Sequence, residues 1–319
     1  LYLPAPPWWF LPSWYCFLVA AALLSSLRLR RLMWLCLCGI AAIVLWNAAQ
    51  EPVSNRLRCT ILDVGHGSAA LVKLPGRGVL LVDAGAMNRG EQAGELISRC
   101  LWSRGHRTIH SIVVSHADAD HFNALRTILA RFPAGELLVS QQFLHNTSAA
   151  AQSLITQATA ERIPVRIVGD GTTCRVGDTL IRLYQATPPL LASAHSDNEK
   201  SLVVELRQHG RTILLPGDLE GPALEQVLPR LPTADVLVSP HHGSRMANIP
   251  QVRQALQPQH VVVSARDDDA RVRLQKVYDA AELHFTSEAG AVTVAINNAG
   301  QLSVHRYRSG QRRNSHDAD

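Results

Sequence analysis

Acidic residues are absent from the first fifty positions of this 319-residue chain, and the only basic residues there are Arg28, Arg30 and Arg31. Three of the 31 Lys and Arg therefore lie in that segment, which leaves 28 against 26 Asp and Glu in residues 51–319. The overall charge of +5 thus gives no argument for nucleic-acid binding, because steering of a polyanion needs a strong local excess of positive charge.

Cysteine is also sparse, and its spacing excludes several functions. Three of the six cysteines lie in the apolar N-terminal stretches, and the others are Cys59, Cys100 and Cys174. No Cys-x-x-Cys spacing occurs, so a zinc ribbon and a thioredoxin-like redox motif are excluded. A composition with 47% hydrophobic residues excludes an intrinsically disordered chain and a disulfide-dense miniprotein.

The N-terminal segment contains two apolar runs without charge, at residues 10–27 and 32–49. Each approaches the roughly 20 residues needed to cross a bilayer core. Tryptophans stand near the outer ends of both runs, as is typical of the headgroup zone. Residues 1–50 are therefore predicted to form a transmembrane helical hairpin, the end of a polytopic membrane region. A buried hairpin of a soluble protein is the alternative.

The topology of that hairpin follows from its arginines. They lie in the short loop between the two runs, which the positive-inside bias assigns to the cytoplasm. The rest of the chain is then predicted to face outward, as part of a multi-pass inner-membrane protein whose large domain is periplasmic or extracytoplasmic.

The remainder of the chain alternates β-branched runs with helical segments in two similar halves. Residues 51–56 are predicted to be a linker, residues 57–305 an α/β domain, and residues 306–319 a polar tail. Strands clustered with helices between them indicate two packed sheets with helices outside.

The strongest chemical signal is the run His116-Ala117-Asp118-Ala119-Asp120-His121, which follows an apolar strand predicted at 112–115. Four possible ligands within six residues can serve two adjacent divalent metal ions. Alternation assigns His116 and Asp118 to one ion, and Asp120 and His121 to the other. The alternative is a surface turn in which Asp120 caps the next helix, but a cap accounts for one residue of the four.

Two later segments are consistent with the same two-metal interpretation, since both follow strands predicted in the second half of the chain. Asp218 ends the run Leu214-Leu215-Pro216-Gly217-Asp218 and is a candidate to bridge two ions. His241 and His242 are candidates to complete the second ion's shell or to protonate a leaving group. A plain β-turn and an incidental histidine pair are the alternatives.

These motifs together resemble the metallo-β-lactamase superfamily, whose His-x-[His/Asp]-x-Asp-His signature corresponds to residues 116–121. More narrowly, the chain is similar to the C-terminal domain of the ComEC family of DNA-internalisation competence proteins over residues 57–297. The segments that carry this similarity follow the family's order: Leu62-Asp63-Val64-Gly65-His66-Gly67, Leu81-Val82-Asp83-Ala84-Gly85, Asn198-x-x-Ser201, Leu215-x-Gly217-Asp218-Leu219 and His241-His242-Gly243-Ser244. The resemblance implies an αββα sandwich after the membrane hairpin.

The resemblance also implies roles for single residues. Asp83 would orient the metal-binding loop, and Asp63 would support the site from behind the ligands. Asn198 would be a further ligand, with His195, three residues before it, as the alternative. An oxygen-rich set then favours two Mn²⁺ ions, although the histidines would also suit zinc. His66 stands where glutamine is usual in the family, and Ser68 where an acid is frequent, which puts any role near residue 68 in doubt.

The implied function is DNA uptake in natural transformation, with this domain hydrolysing the strand that is not transported. Single-stranded DNA, the membrane and other DNA-uptake proteins are the expected partners, and no nucleotide cofactor is expected. The residues assigned to catalysis are Asp120, His241 and His242, and those assigned to the substrate are Lys200, Ser244 and Arg245. A hydrolase of another substrate and an inert DNA-holding module are the alternatives.

Overall fold

The computed structural model describes residues 10–23, 26, 28, 31, 34–42, 56–76, 78–264 and 268–308. The linker predicted at 51–56 and the tail predicted at 306–319 lie mostly outside these residues. The chain divides into two compact units, of which the larger comprises Val53–Ser98 and Thr108–Asp319. That unit carries the chemical motifs.

The N-terminal described residues are helical in two stretches. Helix α1 comprises Phe10–Leu23, and residues 34–42 are helical as well. No helix within the described residues has both the length and the apolar character needed to span a membrane. The two predicted spans, 10–27 and 32–49, run through positions outside the described residues, so the hairpin stays a prediction.

The helices of the larger unit are short, and the strands form two sheets. The remaining helices are α2 (Gly90–Ser103), α3 (Ala119–Phe122), α4 (Leu125–Leu129), α5 (Gln141–Leu144), α6 (Ala149–Ala160), α7 (Pro188–Ser193), α8 (Gly221–Val227), α9 (Pro250–Leu256), α10 (Asp268–Val277) and α11 (Thr286–Ala289). The strands are β1 (Leu57–Leu62), β2 (Ala69–Lys73), β3 (Val79–Ala84), β4 (Ser111–Val113), β5 (Leu137–Val139), β6 (Val165–Ile167), β7 (Thr173–Val176), β8 (Thr179–Tyr184), β9 (Val203–Gln208), β10 (Arg211–Leu215), β11 (Val236–Val238), β12 (His260–Val263), β13 (Glu282–Phe285), β14 (Ala291–Ile296) and β15 (Leu302–Arg306).

The first sheet has the strand order β15-β14-β1-β2-β3-β4-β5-β6, and the second has the order β13-β12-β11-β10-β9-β8-β7. In each sheet an antiparallel half adjoins a parallel half. The parallel strands are β3 to β6 in the first sheet and β10 to β13 in the second. The two halves of the chain thus repeat one plan, as the sequence predicts.

The core lies between the sheets. One buried apolar cluster joins Leu80 and Val82 of β3 to Val204 of β9 and Ile213 of β10. A second cluster packs the other face of the second sheet against α8, α9 and α10, as Leu214 and Leu237 share it with Leu224. Because every residue of β3 is buried, the first sheet is also covered on both faces, as parallel strands require. This confirms the predicted α/β sandwich.

The structure departs from the predicted elements at the motif itself. The sequence predicts one helix over residues 122–132, whereas the structure has α3 followed by α4, so that α3 begins inside the motif. Strand β13 is also absent from the sequence prediction. The charged Glu282 and the polar His284 at alternate positions of a four-residue strand hide its pairing with β12.

Candidate metal centre

The candidate residues lie at the carboxyl ends of the parallel strands, where ligands bind in open α/β sheets. Asp83 lies at the end of β3, and the His116–His121 motif follows β4. From the second sheet, Asp218 follows β10, and His241 and His242 follow β11. Each sheet therefore contributes part of the site.

His116 presents a nitrogen that has no hydrogen-bond partner among the described residues. Its ring is buried, and its Nε2 atom lacks such a partner. The Ser115 hydroxyl donates to Asp83 Oδ2 at 2.8 Å and lies 2.9 Å from His116 Nδ1. Since the hydroxyl has one hydrogen, it accepts from Nδ1–H, and the lone pair of His116 is left on Nε2. An unsatisfied, buried imidazole nitrogen is what a metal ligand looks like without its ion.

His121 is held between two carboxylates. Its Nδ1 lies 2.8 Å from Asp83 Oδ2, and its Nε2 lies 3.1 Å from Asp218 Oδ1. Asp83 also accepts a 2.7 Å hydrogen bond from the backbone N–H of Ser115. A carboxylate behind a histidine fixes the tautomer so that the opposite nitrogen faces the metal. The structure places Asp83 in that position.

Two groups of potential ligands meet at Asp218. One consists of His116, His121 and Asp218, and the other of His66, Asp120 and His242; in each, the ligand atoms lie within 4.8 Å of one another. His121 Nε2 and His242 Nε2 are 3.3 Å apart. Asp218 turns Oδ1 toward His121 and Oδ2 toward His242, at 3.5 Å from its Nε2. It therefore presents one oxygen to each group.

This grouping differs from the one predicted by alternation along the motif. His116 lies with His121 and Asp218, and Asp118, whose side chain is 44% exposed, also brings Oδ2 to 3.5 Å from His116 Nε2. His66, which the sequence treats as a departure from the family, lies in the second group with Asp120. The change arises because α3 begins at Ala119 and turns Asp120 and His121 to different sides.

The remaining predicted residues surround these groups. Asn198 Nδ2 donates to Glu220 Oε1 at 2.8 Å, and His241 Nε2 is 3.8 Å from Asp218 Oδ2. Lys200 lines a cavity beside α5 and pairs with Asp197 at 2.8 Å. The structure does not join the other three to either ligand group: Asp63 on the loop after β1, and Ser244 and exposed Arg245 beyond His242.

Close backbone packing holds the His116–His121 motif in place. A Cβ on Gly85 would lie 2.5 Å from the carbonyl carbon of Asp120, and one on Gly67 would lie 2.9 Å from the Asp120 oxygen. Ser68 N donates to that same oxygen at 3.1 Å. Glycine at both positions lets the loops after β1 and β3 approach Asp120 this closely. The Gly-containing segments of the sequence are thus part of the site's geometry.

The histidine pair lies on a strained turn. His241 and His242 have φ values of 46° and 50°, in the left-handed region that non-glycine residues rarely adopt. Such positions cost on the order of 1–3 kcal/mol each and cluster at functional sites. Asn248 braces the turn, since its Nδ2 donates to Pro240 O and to Ser244 O, both at 2.9 Å.

The electrostatics follow from the burial of opposite charges. Burial acts to lower the pKa of His121, but the carboxylates of Asp218 and Asp83 outweigh it and hold that pKa well above its usual range. Burial acts to raise the pKa of Asp218, but the imidazoles of His121 and His242 keep it far below the usual range. For Asp120, burial acts to raise the pKa, but the hydrogen bond from His242 and the charges of His121 and His242 together outweigh it and lower that pKa. The pKa of His66 is lowered by its own partial burial and by His242.

The donor set fits divalent metal ions. Each group offers two imidazole nitrogens and a carboxylate, and Asp218 faces both, which suggests a dinuclear site. The orphaned Nε2 of His116 supports this fit. Sequence reasoning missed Ser115 and Glu220, which act on ligands through hydrogen bonds that no spacing rule reveals.

The fold and the site define an α/β sandwich protein with a candidate dinuclear metal centre at the carboxyl ends of its parallel strands. Residues 62–265 match the metallo-beta-lactamase superfamily, and since this is more than half of the chain, the protein belongs to that superfamily. Within it, the chain resembles the C-terminal part of the ComEC-family competence proteins, which confirms the resemblance found in the motifs.

The curated relatives carry names from competence and recombination. The chain is 26% identical over 293 residues to "ComE operon protein 3" of Bacillus subtilis, covering 84% of this chain and 37% of that protein. It is 28% identical over 205 residues to "Recombination protein 2" of Haemophilus influenzae, covering 64% and 24%. It is 26% identical over 230 residues to "Competence protein ComA" of Neisseria gonorrhoeae, covering 71% and 29%. The chain therefore spans between about a quarter and about two fifths of the length of these relatives.

Proposed function

We propose that the domain hydrolyses phosphodiester bonds of single-stranded DNA, and that it degrades the strand that is not transported during DNA uptake. The observation that carries this is the pair of adjacent His/His/Asp groups, in which Asp218 of the first group also lies 3.5 Å from His242 of the second. Two ions side by side suit in-line displacement at phosphorus. The substrate class is proposed from the resemblance of the motifs to the ComEC family of DNA-internalisation proteins, and the names of the relatives in competence and recombination support it.

In this proposal His116 and His121 would hold one ion, and His66, Asp120 and His242 would hold the other. Asp218 would serve both, since it turns one oxygen toward each group. When bound, the ions supply an activated water and neutralise the charge that builds up on the phosphate. Asp83 keeps the His121 proton on Nδ1, so that Nε2 stays available. His241 lies outside both groups, and we assign its Nε2, 3.8 Å from Asp218 Oδ2, as a further donor to the ions rather than as the acid that protonates the leaving sugar oxygen.

Manganese is the metal we propose. Asp218, Asp120, Asp118 and the Asn198 amide supply hard oxygen donors, and neither ligand group contains a thiolate. The four imidazoles make zinc the main competitor. Titration of the purified chain with each metal, followed by activity at equal occupancy, decides between them.

The test of function is cleavage of single-stranded DNA by the purified chain in Mn²⁺. We expect cleavage that is lost in Asp120→Asn and kept in Asp178→Asn, a matched change at a 75% exposed turn carboxylate. If DNA binds but no divalent metal supports cleavage, the domain is a DNA-holding module. Turnover of a thioester or β-lactam without DNA cleavage would instead establish another hydrolase.

We also propose that residues 1–50 lie in the inner membrane, that the domain faces outward, and that it works there with other DNA-uptake proteins. The two uncharged runs and the arginines between them support this. Cys174 on β7 is exposed and provides the test. A membrane-impermeant maleimide added to spheroplasts should label the chain, and Cys174→Ser should abolish that labelling. Labelling of Cys174 only after lysis would reverse the topology.

A further inference from the structure

Glu220 holds two candidate site residues at once. Its Oε2 lies 2.7 Å from His241 Nδ1, and its Oε1 accepts a 2.8 Å hydrogen bond from Asn198 Nδ2. It lies two residues after Asp218, directly before α8, and its side chain is 17% exposed. One carboxylate thus uses each of its oxygens on a different neighbour.

The hydrogen bonds to Glu220 determine which atom of Asn198 and which atom of His241 remain available to bind a metal ion. An Asn side chain can rotate its amide so that oxygen and nitrogen exchange places. With Nδ2 donating to Glu220, the oxygen is left free, and Asn198 Oδ1 is buried with no hydrogen-bond partner among the described residues. A buried oxygen without a hydrogen-bond partner among the described residues is a candidate metal ligand.

The same logic applies to His241. A carboxylate accepts from Nδ1–H, so in the neutral ring the lone pair lies on Nε2. That atom is 3.8 Å from Asp218 Oδ2, the oxygen that also faces His242. Without Glu220 the ring would be free to adopt the other tautomer.

We propose that Glu220 is a positioning residue, which orients Asn198 Oδ1 and His241 Nε2 for the dinuclear site and so controls how tightly that site holds its ions. The inference rests on the proposed metal-dependent function. The inference goes beyond that function, because it assigns a role to a residue that would contact neither the ions nor the substrate.

The test is Mn²⁺ affinity, measured by isothermal titration calorimetry on the full chain without DNA. Removing an outer carboxylate typically costs about 10- to 100-fold in metal affinity, and we expect a loss in that range for Glu220→Ala. Glu220→Gln keeps one acceptor oxygen and should fall between Glu220→Ala and the parent. Glu225→Ala, an exposed change on α8, is the matched control and should bind like the parent.

A triple variant tests whether Glu220 acts through Asn198 and His241. If Glu220 acts through its two neighbours, Glu220→Ala should add little to the loss already caused by a combined Asn198→Ala and His241→Ala change. Parent-like affinity in Glu220→Ala, or a loss that adds fully to that combined change, overturns the proposal. Should Glu220→Ala fail to fold in chelator, the near-isosteric Glu220→Gln decides by the same measurement. Because no DNA is present, failure of the nuclease assay would leave this result standing.

Discussion

Replacing Asp83 by Asn tests the hydrogen-bond chain behind the metal ligands. Asp83 is 1% exposed and accepts from Ser115 N, from Ser115 Oγ and from His121 Nδ1, at 2.7 to 2.8 Å. In Asp83→Asn the amide oxygen can still accept from Ser115 N. The amide nitrogen then replaces Oδ2, and it cannot accept from His121.

The size of the expected effect follows from the loss of the hydrogen bond between His121 Nδ1 and the side chain of residue 83. Without that acceptor, His121 moves its proton from Nδ1 to Nε2. Because Nε2 is the atom through which His121 would bind an ion, binding then requires the loss of that proton. We expect Mn²⁺ affinity to fall about 10- to 100-fold, which is about 1.4 to 2.7 kcal/mol of binding free energy. In chelator, loss of a charge-assisted hydrogen bond should lower the free energy of unfolding by about 1.5 to 3 kcal/mol.

Calorimetric titration with Mn²⁺ gives the affinity and stoichiometry, and urea unfolding in EDTA gives the stability. Asp178→Asn is the control, since that carboxylate lies in the exposed turn between β7 and β8. Full-affinity binding of two ions by folded Asp83→Asn would refute the argument that Asp83 sets the tautomer of His121.

Three further predictions concern single positions. His116→Ala and His66→Ala remove ligands from different groups, so elemental analysis should give one ion per chain in each, and two ions in either variant would contradict the grouping. Gly85→Ala places a Cβ 2.5 Å from Asp120; overpacking of this kind costs about 1–3 kcal/mol in urea unfolding, whereas Gly169→Ala, whose nearest neighbour is a side-chain atom at 3.5 Å, should be neutral. Burial lowers the pKa of His284 to about 4, with Arg306 and His260 acting in the same direction and Glu282 against it. Because the folded state favours neutral His284, its contribution is complete above about pH 6.5, the unfolded value, and declines as pH falls toward 4. In EDTA, His284→Gln should therefore lose less stability between pH 7 and 5 than the parent, and an equal loss would show that His284 does not titrate as described.

Local sequence predicts the location of the site because its densest motif is contiguous. Residues 116–121 follow a strand of the first half, and Asp218 and the histidine pair follow strands of the second half, so the repeated plan of the two halves predicts that they share one region. The division of the ligands into two groups cannot be predicted from the sequence, because it depends on where α3 begins and on how the two sheets face each other. Asp120 and His121 are adjacent in sequence yet lie in different ligand groups.

Orienting residues were harder to predict than ligands. Asp83 was assigned only through the family resemblance, and Glu220 was not assigned at all. A metal ligand can be predicted from its residue type and its spacing in the sequence. A carboxylate that orients a ligand is recognised only by its distance to one particular atom in the structure. His66 illustrates a different limit: the family comparison marked it as a departure, and only its 4.9 Å ring-centroid separation from His242 reveals its place in the second group.

The division of ligands between the two sheets has a consequence for biosynthesis. His66, His116 and Asp120 are made early, whereas Asp218 and His242 emerge only after β10 and β11 have been translated. Closing so long a loop is a slow, non-local step in folding. A nascent chain can therefore present at most part of the candidate ligand set until both halves of the domain have been made and have docked.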